Sequence, residues 1–143
     1  MAKNIEYRDN TNKILELLKS AKTRGLEAIG LAAEGNAKRW LTYQEAVDTG
    51  RLRNSITYAL AGKEAHIKTY KAKKGGKGRE TYHYDGAAEG EKGSAVYIGT
   101  NVEYAPFVEL GTVNMNPRPF LRPAAEEHAD QYEKLMRKSL ENA

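Results

Sequence analysis

Cysteine is absent from the 143 residues, which removes disulfides, thiolate metal sites and thiol nucleophiles at once. That absence fits assembly in a reducing cytoplasm. Long apolar runs are missing too. No stretch approaches the roughly 20 apolar residues that a membrane-spanning helix needs. The opening residues Met1-Ala2-Lys3-Asn4-Ile5-Glu6 lack the apolar core of a secretory signal. The expectation is a soluble chain that is not exported and makes no membrane contact. Proline is confined: all four lie between positions 106 and 123. The cationic excess is uneven along the chain. Lys68, Lys71, Lys73, Lys74, Lys77 and Arg79 lie in a stretch without a carboxylate, while the whole chain carries a net +4. The basicity therefore belongs to that segment, which weakens any reading of the whole domain as a nucleic-acid binder.

What is present fits one domain over 1–143, since a chain of this length buries roughly 70% of its unfolded surface. After the cap-rich cluster Asp9-Asn10-Thr11-Asn12, apolar residues recur at Ile14, Leu17, Leu18, Ala21, Ala28, Ile29 and Ala32. This is the spacing of one helix face, and it drifts on to Trp40 and Leu41. The pattern predicts a helix from about Thr11 to Leu41. Gly25, Gly30 and Gly35 interrupt it, each at a cost of about 1 kcal/mol relative to alanine. They mark either a kink or break, or a place where another backbone, a neighbouring subunit's included, comes close.

Asp48 can cap a short helical turn, with Val47 and Leu52 spaced as a hydrophobic staple. From Ser55 to Ala72 the period changes to two. Ile56, Tyr58 and Leu60, then Ala65, Ile67 and Thr69, flank a Gly62-Lys63 turn and predict an antiparallel hairpin. Residues 73–94, rich in Gly, Lys and Glu, read as an exposed flap. Ala95 to Gly99 is a third strand. Tyr104 to Thr112 reads as a short helix with Pro106 in its first turn. A proline-set segment then leads into a last helix, about Pro123 to Leu140, with acids early and bases late as the helix dipole favours. Its apolar face is Leu121, Ala124, Ala125, Tyr132, Leu135 and Met136. The sum is an α+β fold: long N-terminal helix, small antiparallel sheet with a long β-flap, C-terminal helix.

Chemistry finds little foothold. His66, His83 and His128 have no metal-ligand spacing to one another or to a carboxylate motif. Ser55, His66 and Asp48 make a triad on paper only, for Ser55 lacks the G-x-S-x-G elbow. Gly75-Gly76-Lys77-Gly78-Arg79 lacks the spacing of a phosphate-binding loop. Glu89 and Glu103 have no evident partner, and Glu109 reads as a salt-bridge or backbone-capping residue. No enzyme, cofactor or metal is expected. The flap residues Lys71, Lys73, Lys74, Lys77, Arg79, Tyr82 and Tyr84 interleave cations with aromatics. That composition suits a solvated tip, a docking arm for an acidic protein surface, or contact with nucleic acid.

Three separated blocks carry a resemblance. Val47-Asp48-Thr49-Gly50-Arg51-Leu52-Arg53-Asn54-Ser55-Ile56 resembles the D-T-G-x-L-x-x-S element of a tail-component family of tailed bacteriophages, found in lambdoid siphophages and prophages. Tyr97 to Thr112, with Tyr104-Ala105-Pro106-Phe107-Val108-Glu109-Leu110-Gly111-Thr112, resembles its second block. Arg118-Pro119-Phe120-Leu121-Arg122-Pro123-Ala124 resembles the closing one. Order and spacing agree from about Asn10 onward, and the flap departs from the pattern. The resemblance implies a non-enzymatic neck, tail-completion or minor tail protein of the virion, assembled in the bacterial host cytoplasm. It implies a cyclic homo-oligomer, a hexamer first and a dodecamer second. Such a ring stacks on neck, head-closure, tail-terminator or tail-tube proteins around a DNA channel, without sequence-specific contact. Asp48, Thr49, Gly50, Leu52 and Ser55 then form a structural turn. Tyr104, Ala105, Pro106, Glu109, Gly111 and Thr112 shape a core loop. Arg118, Pro119, Phe120 and Pro123 lock the last helix against the sheet.

Overall fold

The computed structural model describes residues 8–44, 50–62 and 93–143, together with the backbone of 67–71 and 79–83. It is a mixed helix and sheet fold with a long N-terminal helix, an antiparallel sheet and C-terminal helices.

Helix α1 (Thr11–Tyr43) runs 33 residues without a break, about 50 Å at 1.5 Å per residue. The cap-rich cluster works one step ahead of the helix: the Asp9 carboxylate accepts the Thr11 backbone N–H at 3.0 Å and its hydroxyl at 2.6 Å. Those two bonds, the hydroxyl first, hold the Asp9 carboxyl below its usual range. The glycines do not break the helix. At two of them, Gly25 and Gly30, this chain packs on itself. A Cβ on Gly25 would lie 2.6 Å from Met136 Sδ, and one on Gly30 would lie 2.5 Å from the Tyr58 ring and 2.8 Å from Val96. Glycine at these two positions lets helix and sheet backbones approach α1 more closely than alanine would. Gly35 differs, since its nearest outside atom is the Arg39 guanidinium at 3.5 Å.

Gly50, at φ +81, precedes the short helix α2 (Arg51–Ser55) and its carbonyl accepts the Asn54 N–H at 2.9 Å. The cap position is thus Gly50 and not Asp48 as the residue pattern suggested. A glycine supplies the left-handed turn that a β-carbon would oppose. Val47, Asp48 and Thr49 lie outside the described residues.

Strand β1 (Thr57–Leu60) does not pair with the next strand in the chain. It pairs antiparallel with β4 (Val96–Gly99), in the register Thr57↔Gly99 to Leu60↔Val96, and Ala61 N–H to Ala95 C=O (3.0 Å) adds a further rung. Strands β2 (Ile67–Lys71) and β3 (Arg79–His83) form a separate antiparallel pair. The expected hairpin of β1 with the next strand is therefore absent. Burial decides this pairing. Thr57, Ala59 and Leu60 are buried and match the apolar Val-Tyr-Ile-Gly strand, whereas the β2 sequence Ile-Lys-Thr-Tyr-Lys carries two lysines in five residues.

Helix α3 (Ala105–Leu110) carries its proline at the start, as expected. The single last helix is in fact two, α4 (Leu121–Glu126) and α5 (Ala129–Glu141). No glycine or proline lies at the break, so its cause is tertiary. Trp40 Nε1 donates to His128 Nε2 at 3.3 Å, and the Tyr132 hydroxyl donates to the Ala124 carbonyl in the last turn of α4. Both helices pack on α1, so the proline segment fastens them to that helix. Ala125, expected on the apolar face, is exposed, while Ala124 is buried and Leu121, Tyr132, Leu135 and Met136 are half-buried.

Candidate functional site

The core that orders the molecule is built from the three motif blocks. Leu52 and Ile56 come from the first block, Val102 and Ala105 from the second, Phe120 and Ala124 from the third. Together they close against Ala37 and Leu41 of α1, with Trp40, Ile98, Tyr104, Val108 and Leu121 packed around them. Phe120 is fully buried, and an aromatic in such a position contributes about 3–5 kcal/mol relative to alanine.

Polar contacts join the same blocks. Ser55 donates its hydroxyl proton to the Leu52 carbonyl at 2.6 Å, and its oxygen lies 2.5 Å from Thr100 Oγ1. A hydroxyl has one proton, so Thr100 is the donor in that pair, while its own oxygen accepts the Val102 N–H at 3.1 Å. Ser55 thus spends its proton on a helix carbonyl. Arg51 forks onto Glu103, with Nη1 to Oε1 at 2.8 Å and Nη2 to Oε2 at 3.1 Å, and its guanidinium sits 5.7 Å from the centre of the Tyr104 ring. The Arg51 hydrogen bonds, ahead of a backbone bond, hold the exposed Glu103 carboxyl below its usual range. The pairing is hidden in the sequence, where Glu103 has no evident partner, because the two residues lie 52 positions apart.

Glu109 is the hinge pin of blocks two and three. Its Oε2 accepts the backbone N–H of Phe120 (2.8 Å) and Leu121 (3.0 Å), and Oε1 accepts that of Arg122 (3.0 Å). A helix start leaves four such donors without an intrahelical partner. The fourth belongs to position 123, and Pro123 has none. One carboxylate and one proline together satisfy the whole N-terminus of α4, which bears out the capping role expected of Glu109. Gly111, at φ +77, ends α3, and a Cβ there would lie 2.7 Å from Pro117 N. Thr112 and Met115 then exchange backbone bonds at 2.8 and 3.3 Å, and Arg118 N–H reaches the Val108 carbonyl at 2.7 Å. Gln44 donates to the Pro119 carbonyl. Pro106, Thr112 and Arg118 are exposed, so these three shape the surface and not the core.

Of the flap residues, Lys71 ends β2, while Arg79 and Tyr82 lie in β3. Lys73, Lys74, Lys77 and Tyr84 lie outside the described residues, as do His66 and Asp48. Among the described residues no group of three or more His, Cys, Asp or Glu could hold a metal, and no helix is long and apolar enough to cross a membrane.

One feature escaped sequence reading because a periodic pattern does not say what covers it. The stripe of α1 that packs under α5 (Ala21, Gly25, Ile29) continues toward the N-terminus as Leu18 and Ile14. α5, however, ends near Ala21, whose carbonyl accepts the Ser139 hydroxyl. Every residue from 11 to 20 is exposed, and Ile14, Leu17 and Leu18 are 44–54% so. Phe107, Leu110 and the fully exposed Val113 form a second apolar edge on α3 and the turn after it. Between α1 and α5 runs an open groove of about 650 Å³, lined by Ile29, Tyr132, Met136 and Leu140. No family model matches the chain, and no curated protein or solved structure is significantly similar to it.

Proposed function

We propose that the chain is a non-enzymatic ring subunit of the neck or tail-completion region of a tailed-phage virion. The observation that carries the reading is the uncovered apolar stripe on the first three turns of α1. An isolated helix of this length is marginal in water, and contiguous exposed apolar surface marks a protein contact. The stripe and the α1–α5 groove are different surfaces of one molecule. A contact between unlike surfaces is heterologous, and it closes into a ring or runs on as a filament. The three blocks that resemble the tail-component family support the placement beside the DNA channel, and their residues serve this reading as framework.

Light scattering on a size-exclusion column, with negative-stain images, tests it. The expected species is a cyclic oligomer, six or twelve subunits, that Leu17→Glu with Leu18→Glu reduces to monomer while the helical circular dichroism persists. Monomer alone at high protein concentration would end the reading.

A further inference from the structure

Asn36 of α1 is 1% exposed, and its amide is only half satisfied. Nδ2 donates both protons, to Gln131 Oε1 and to the Tyr132 hydroxyl oxygen, each at 3.0 Å. That hydroxyl has spent its own proton on the Ala124 carbonyl, so it accepts from Asn36, which fixes which end of the amide faces it. Oδ1 is left without a hydrogen-bond partner among the described residues. An unpaired buried acceptor is costly, and in a native protein it calls for an explanation.

Asn36 is also the most deeply buried member of a cleft of about 310 Å³, lined besides by Arg39, Trp40, Tyr43 and His128. Positions 36, 39, 40 and 43 stand at i, i+3, i+4 and i+7, so they share one face of α1. His128, at the start of α5, closes the other side. Trp40 Nε1 donates to His128 Nε2, which pins the indole. The Tyr43 ring stands edge-on to it, with centroids 6.1 Å apart and an angle of 85°. Depth sorts the polar groups. Asn36 lies at the bottom, while Arg39 is exposed at the rim and has no ion pair among the described residues. The lining thus offers an acceptor below, aromatic rings on its walls, a cation above and no carboxylate.

From this arrangement we infer that the cleft binds a small aromatic acid that bears a hydroxyl. Its ring packs on Trp40 and Tyr43, its hydroxyl donates to Asn36 Oδ1, and its carboxylate meets the Arg39 guanidinium. Offset or edge-on ring contacts and guanidinium–carboxylate pairs are the arrangements these groups favour. The volume stands at the small end of ligand pockets, which run from roughly 300 to 1,000 Å³, so one ring suits it and a larger ligand does not. Oδ1 is itself covered, so the hydroxyl reaches it after a small shift of the wall, and Tyr43, 81% exposed, has the room to make it. None of the five lining residues belongs to the α1 stripe or the α1–α5 groove, so the inference is independent of the assembly reading.

Trp40 is the only tryptophan of the chain, so its indole N–H gives a single signal, from the wall of the cleft, in a proton–nitrogen correlation spectrum of the full-length protein. Titration with 4-hydroxybenzoate at neutral pH should move that signal saturably, with a dissociation constant of about 1 mM or below. Benzoate lacks the hydroxyl and phenol lacks the acid. Each should bind at least about fivefold more weakly, because a site built to pair a polar group discriminates against the analogue without it. Arg39→Gln should weaken 4-hydroxybenzoate at least about fivefold and leave phenol within about twofold, a split that damage to the fold would not produce. Tyr43→Ala should weaken both ligands. Lys19→Gln removes a charge elsewhere on α1 and should change affinity less than about twofold. A signal that stays still up to about 20 mM 4-hydroxybenzoate overturns the inference. So does benzoate binding as tightly as 4-hydroxybenzoate, or equal weakening by the Arg39 and Lys19 variants. Column mass, which decides the assembly reading, has no bearing on any of these outcomes.

Discussion

Glu109 holds three backbone donors with two oxygens, and its removal tests how much the third block depends on the second. Glu109→Ala strips the start of α4 of its acceptors and leaves part-buried N–H groups without partners. Losing a cap costs about 1–2 kcal/mol, and unsatisfied donors add to it. The expected loss is about 2–3 kcal/mol, a fall of roughly 6–12 °C in Tm for a domain of this size. Glu109→Gln keeps one carbonyl oxygen and should lose about half as much. Thermal melts followed by circular dichroism decide it, and an unchanged Tm for the alanine variant would deny Glu109 its capping role. The role was legible from the residue alone, an isolated carboxylate before a glycine. Its partners were not, because Phe120, Leu121 and Arg122 lie eleven to thirteen positions away and no local period links them.

Among the elements, α1 shows what a helical pattern reveals and what it conceals. Its extent was readable within two residues, since apolar spacing carries that information. The three glycines looked alike in sequence, yet only the neighbours of each decide its use. Gly30 lies against Tyr58 and Val96, so Gly30→Ala should cost about 1–3 kcal/mol through overpacking. Gly35 has space, so Gly35→Ala should stabilise by about 0.5–1 kcal/mol through its higher helix propensity. Urea denaturation of the two variants compares them directly, and a shared sign would contradict the packing described. The break between α4 and α5 was invisible for the converse reason. The residues 126–129, Glu-Glu-His-Ala, favour a continuous helix, and the interruption coincides with Trp40 and Tyr132 reaching His128 and Ala124 from elsewhere. Strand pairing failed the same way, for adjacency in the chain suggested β1 with β2 and burial chose β4.

At the scale of the molecule, the α+β class and the apolar blocks that form the core could be read from patterning, whereas the surfaces left uncovered could not. The clearest whole-molecule prediction concerns the excursion. Replacing residues 62–94 with Asn-Gly joins Ala61 to Ala95 through a two-residue hairpin whose turn type suits that pair. The shortened chain should keep its helical signal and melt within a few degrees of the parent, while losing the ribbon altogether. If it failed to fold, the body would depend on the excursion in a way the β1–β4 pairing does not indicate.

That pairing also makes the domain a receptacle. Ala61 and Ala95 face each other across one rung at the end of the sheet, so a polypeptide whose own ends lie close together can be spliced there without moving the body. Lengthening such a closed segment is inexpensive, about 0.6 kcal/mol for each doubling. An epitope or a small fluorescent domain carried at this position would project from the end of the sheet while the rest of the chain keeps its contacts. One scaffold could in this way bear many different appendages.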